Sequence, residues 1–132
     1  MTHIKAVNPP SLPDPSGRYS HAIETPAGRT LHISGQIALS PNGEVVGRGD
    51  IEAQTRAAFD NVRTVLEAAG GAMADVAKMT IFLTRRDDFP TVSRIRSEYF
   101  TDPFPACSTV IVQGLVLPDL LIEVEATALL PT

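Results

Sequence analysis

This 132-residue chain has no tryptophan, a single cysteine and only 5% aromatic residues. One cysteine cannot close an internal disulfide, which excludes a disulfide-stapled scaffold. The three histidines, His3, His21 and His32, show no ligand spacing with Cys107, so no metal site is expected. No stretch approaches the roughly 18 apolar residues of a membrane span, and the first residues, Met1 to Asn8, contain no apolar export core. The setting expected from these absences is the cytoplasm, with no membrane partner. Clustered positive charge is missing as well. Eleven Lys and Arg against fifteen Asp and Glu leave a net charge of −4, and the one basic doublet, Arg85-Arg86, runs straight into Asp87-Asp88. Phosphate-backbone binding depends on grouped cations, so the composition argues against a nucleic-acid partner.

What is present suits one globular domain, with 43% hydrophobic and 20% charged residues on a chain of single-core length. Residues 1–132 therefore read as one domain. Residues 1–15 are proline-rich and lack periodicity, which reads as an extended arm leading to a first strand near Tyr19. Leu31-His32-Ile33-Ser34 alternates, and Ile37-Ala38-Leu39 and Glu44-Val45-Val46 flank the hairpin-favouring Asn42-Gly43.

From Ile51 the period changes to that of a helix, with Ile51, Ala58, Val62, Val65, Leu66 and Ala69 on one face. Asp50 is its expected cap and Gly70-Gly71 its stop. Val76 to Thr84 alternates as a strand. Asp88 and Pro90 mark the start of a second helix, whose apolar stripe is Phe89, Val92, Ile95 and Tyr99. Strands at Ser108–Gln113 and Leu120–Leu129 complete a β-β-β-α-β-α-β-β order. Two helices cover only one face of such a sheet, so the other face needs solvent or a second subunit. In the last strand Leu120, Ile122, Val124, Ala126 and Ala128 form an apolar face, while Leu121, Glu123, Glu125, Thr127 and Leu129 share the opposite one, a mixture that suits a subunit interface.

Glu123 and Glu125 lie two positions apart on one strand face, about 7 Å apart, a spacing that overlaps the carboxylate pairs of inverting glycosidases. Most such pairs are solvated or ion-paired. A carboxylate on an otherwise apolar strand is nonetheless suited to proton transfer, which makes Glu123 a candidate. Ser34, in Ile33-Ser34-Gly35-Gln36, lacks the Gly-x-Ser-x-Gly elbow of a nucleophile. Cys107 starts an apolar strand after Phe104-Pro105-Ala106, and free cysteine is more often a small buried hydrophobe than a nucleophile. Its sequence neighbours supply no cation, so any activation of the thiol depends on residues brought near in space.

Gly17-Arg18-Tyr19-Ser20, Ile33-Ser34-Gly35-Gln36, Asn61-Val62 within the Gln54–Gly70 helix, Asp88-Phe89-Pro90-Thr91-Val92, Phe104-Pro105-Ala106 and Ile122-Glu123-Val124-Glu125-Ala126 together resemble the RidA (YjgF) family. The resemblance implies a chorismate-mutase-like α+β fold, with two helices on one face of a mixed sheet, assembled as a homotrimer with clefts between subunits. It also implies hydrolysis of reactive enamines and imines to ketones or keto acids plus ammonia, without a cofactor. The implied catalytic positions are Glu123, which positions or activates water, Tyr19 and Cys107. The implied substrate-binding positions are Ser34, Gly35, Phe89, Ser93 and Thr109.

The chain departs from the deaminase pattern at Cys107, where that branch has an arginine that clamps a substrate carboxylate. It also has Ser93 where asparagine is common and Thr109 where cysteine is common. These departures imply a small imine lacking the usual carboxylate anchor, and an arginine placed at 107 is expected to raise activity on 2-imino acids. The alternative is a non-catalytic, ligand-binding or regulatory trimer. Some members of the family carry the names endoribonuclease or translation inhibitor, to which an acidic composition lends little support.

Overall fold

The helix expected from Ile51 runs from Ile51 to Ala68 (α1) in the computed structural model, which describes residues 4–15 and 17–131. His3 and the first three residues of the expected arm lie outside the described residues. Asp50 caps α1 by accepting the Ala53 N–H on Oδ1 at 3.1 Å. Gly70 then takes a φ of +84°, a left-handed turn that a side chain would oppose. Ala58, Phe59, Val62 and Leu66 face inward, each 1% exposed or less. Phe59 stacks on Tyr99 at 5.1 Å between ring centroids and meets Phe100 edge-on. Burying that one ring contributes roughly 2–3 kcal/mol.

The main sheet contains β3 (Arg29–Gln36), β4 (Val76–Leu83), β5 (Ala106–Ile111) and β6 (Ile122–Leu130), ordered β3-β6-β4-β5. Strand β6 is antiparallel to both of its neighbours, whereas β4 and β5 are parallel. Parallel neighbours need a crossover, and α2 (Phe89–Tyr99) supplies it. Both helices pack on the sheet face formed by Met79, Ile81, Leu83, Ile122, Val124 and Ala126. This is the α+β arrangement of two helices on a mixed sheet.

The strand at the N-terminus differs from expectation. Lys5–Val7 (β1) lies inside the segment read as an arm and pairs antiparallel with Ala22–Glu24 (β2) in a separate two-stranded sheet. Three residues are too few to show a period of two, so no sequence signal marked them. The Asn42-Gly43 hairpin is reduced to a single bridge between Leu39 and Val45. Gly43, Gly47 and Gly49 all adopt positive φ there, which breaks an extended ladder. At the start of β4 a register irregularity between Val76 and Lys78 turns Val76 into the core, against simple alternation.

One buried polar residue ties these parts together. Gln54, fully buried on α1, donates to the carbonyls of Gly47 and Asp119 and accepts the Leu121 N–H at 2.8 Å. It thereby pins the entry to β6. Replacing Gln54 with Leu leaves these backbone groups without their partner, and about 2 kcal/mol of stability is expected to be lost in urea unfolding. An unchanged midpoint would show that the two loops hold themselves.

Candidate functional site

Helix α2, the beginning of β5 and the turn before Ser20 enclose a cleft of about 670 Å³. Tyr19 reaches it because Ser20 is tied to the segment before β5. The Ser20 N–H donates to Pro105 O at 3.0 Å, its hydroxyl donates to Phe104 O, and Ser20 bridges Ala106 in parallel. Cys107 and Thr109 stand opposite Met79 and Ile81 on β4, so they share the helix-covered face. Because β5 is the edge strand, these two side chains are only half-covered and open into the cleft. The first turn of α2 contributes Phe89, which is 41% exposed, and Ser93 lies one turn further along. Five of the expected residues, Tyr19, Phe89, Ser93, Cys107 and Thr109, therefore line one cavity.

Helix α2 begins differently from the expected capping pattern. Asp88 makes no side-chain cap bond and is instead gripped by Arg85, whose Nε donates to Oδ2 at 2.8 Å. A short 3₁₀ turn at Arg86–Asp88 precedes the helix and carries Arg86 and Asp87 to the rim of the cleft. Phe89, read from the sequence as part of the apolar stripe, faces this opening and not the core.

The residue that sequence reasoning missed is Arg96. It is only 4% exposed and lines the same cleft. Its guanidinium donates through one terminal nitrogen to Cys107 Sγ at 3.3 Å and through the other to Ser93 Oγ at 3.2 Å. The absence of arginine at 107 does not leave the cleft without a guanidinium, because α2 supplies one from the other side. A signal was available in the sequence. Arg96 falls four residues after Val92 and three before Tyr99, which places it on the buried stripe of α2.

Ser34, Gly35 and Glu123 are not brought into this cleft. Glu123 stands opposite Phe82 on β4, one position out of phase with Ile81 and Thr109, and so projects from the sheet face away from the helices. On β3, Ile33 pairs with Ala126 and Gln36 with Val124, leaving Ser34 and Gly35 in a bulge against the single Glu125. The Glu123 side chain packs over Gly35. A Cβ there would meet the carboxylate, lying 2.6 Å from Cδ. Among the described residues no three of His, Cys, Asp and Glu are grouped so as to hold a metal ion, and no helix is long and apolar enough to cross a membrane.

A family model described as endoribonuclease L-PSP matches residues 10–130. The chain is 44% identical to a RutC family protein of Pyrococcus horikoshii, over 89% of this chain and 91% of that one. It is 37% identical to a 2-iminobutanoate/2-iminopropanoate deaminase of Dermatophagoides farinae, over 83% and 84% of the two chains. A crystal structure of a conserved Rid family protein from Yersinia pestis superposes with a TM-score of 0.92 at 37% identity, covering 98% of this chain and all of that one.

Proposed function

The chain belongs to the endoribonuclease L-PSP (YjgF/RidA) family, and from that premise we propose that it is a RidA-type deaminase. Its reaction is hydrolysis of a small imine, or of the enamine that tautomerises to it, to a carbonyl compound and ammonia. The observation that carries this reading is the convergence of Tyr19, Phe89, Ser93, Cys107 and Thr109 on one half-open cavity of small-molecule size.

The chemistry is addition and elimination of water at C=N. Glu123 takes a proton from water as the water oxygen bonds to the imine carbon, and passes that proton to the nitrogen, where the C=N π pair has moved. Glu123 then takes the carbinolamine hydroxyl proton and delivers it to the nitrogen as the C–N bond breaks, so that C=O forms and ammonia leaves. Tyr19 and Ser34 orient the substrate. Glu123 and Ser34 project from the face opposite Cys107, so one copy cannot complete the site, whereas a neighbouring copy laid against the open face can supply them. This is the argument for a homotrimer with composite clefts.

Ammonia release from 2-iminobutanoate and from a neutral imine, each generated in situ, tests the activity. The expected result is acceleration over the spontaneous rate, and equality with that rate for both substrates would overturn the proposal in favour of a non-catalytic binding trimer. Gly35→Ala supplies a check on the role of Glu123. Its Cβ occupies the space of the Glu123 side chain, so kcat is expected to fall at least about tenfold while circular dichroism remains native. Full activity in that variant would place Glu123 outside the reaction.

A further inference from the structure

Arg96 is a buried cation without a counter-ion among the described residues. Its side chain is almost entirely covered, yet among the described residues no carboxylate lies within ion-pair distance of it. A guanidinium carries five N–H donors. Two are directed to Cys107 Sγ and Ser93 Oγ, and the buried Nε has no hydrogen-bond partner among the described residues. The bond to sulfur is a weak use of an ionised donor, since a thiol is a poor acceptor. Burying a charge under such conditions is costly unless an anion arrives to satisfy it.

The surroundings match an incoming anion. Among the described residues the cleft is lined by Arg18, Arg86 and Arg96 against a single acid, Asp87. Ser93, Cys107 and Thr109 add short polar groups that can share a planar carboxylate with the guanidinium. Basic residues at the rim draw an anion in, and the buried one fixes its orientation.

We propose that Arg96 is the anion anchor of this cleft and that it selects substrates bearing a carboxylate beside the imine, namely small 2-imino acids and their enamine tautomers. The substrate class rests on the deaminase reading above, whereas the anchor itself does not. In this arrangement the carboxylate takes the donor now held by Cys107 Sγ. Arg96 acts as a specificity-determining residue reached from α2, and Cys107 serves as the small residue that makes room for it.

The test uses the full chain and a stable ligand that cannot turn over. Isothermal titration compares 2-oxobutanoate with 2-butanone, its neutral counterpart in shape. Wild type is expected to prefer the acid. Arg96→Met is expected to weaken acid binding at least tenfold and leave the ketone unaffected, and the double variant Arg96→Met with Cys107→Arg, which carries the guanidinium from β5, is expected to recover acid binding. Equal acid affinity in wild type and Arg96→Met overturns the proposal, as does failure of wild type to bind the acid. If Arg96→Met does not fold, Arg96→Lys and the double variant carry the same comparison, because lysine keeps the charge and loses the fork. Acid binding through Arg96 without turnover removes the deaminase reading and retains the anchor. Turnover of 2-iminobutanoate unaffected by loss of Arg96 does the reverse.

Discussion

Replacing Glu123 with Gln is expected to lower kcat/KM for imine hydrolysis by about 10²- to 10⁴-fold, the usual contribution of a positioned general base. Glutamine keeps the length and one carbonyl oxygen of the side chain, so packing over Gly35 survives and the loss reports on the proton. The measurement is steady-state ammonia release at saturating and limiting substrate. A drop in kcat with little change in KM marks a group that acts in the transition state. Among the described residues the cleft of a single copy holds one carboxylate, Asp87. Should Glu123→Gln leave the rate unchanged while Asp87→Asn abolishes it, Asp87 is the base and no second copy is needed to complete the site.

Cys107→Arg, introduced alone, is expected to destabilise the protein by about 3 kcal/mol, because it sets a second guanidinium against Arg96. Cys107 Sγ already lies 3.3 Å from an Arg96 nitrogen, and Arg96 is buried and cannot withdraw to solvent. The sequence pattern alone leads to an expectation of another kind, that arginine at 107 raises activity on 2-imino acids. Urea unfolding of wild type, both single variants and the double variant forms a cycle, and a coupling of about 2–3 kcal/mol between positions 96 and 107 is the expected outcome. Additive changes would mean that the two side chains do not share one space.

The helices and the sheet were legible because their residues carry strong local signals. The stripe from Ile51 to Leu66 with Asp50 before it has one reasonable solution, a capped amphipathic helix, and α1 adopts it. The alternation in β6 sorted Ile122, Val124, Ala126 and Ala128 from Glu123 and Glu125, and the first set is buried against the helices. β1 and the interrupted hairpin at Asn42-Gly43 were not legible, since their form depends on pairing with distant chain and on left-handed glycines. Gln54 and Arg96 were missed for a shared reason. Each is polar at a helical position whose burial follows from loops or strands that sequence distance separates from it.

The amino-acid sequence by itself determined the α+β class, the order of elements from α1 onward, the family resemblance and the residue types of the site, because period, caps and short motifs are local properties. Tertiary structure alone decided how those residues are grouped. The parallel β4–β5 crossover lays α2 beside Cys107, and so brings Arg96 across the chain to the thiol. The register of β6 against β4 sends Glu123 to the other side of the sheet from Thr109. Alternation separates Glu123 from Ile122 within β6, but which residues of β5 share the Ile122 face depends on the pairing of β5 with β4, a contact between distant parts of the chain.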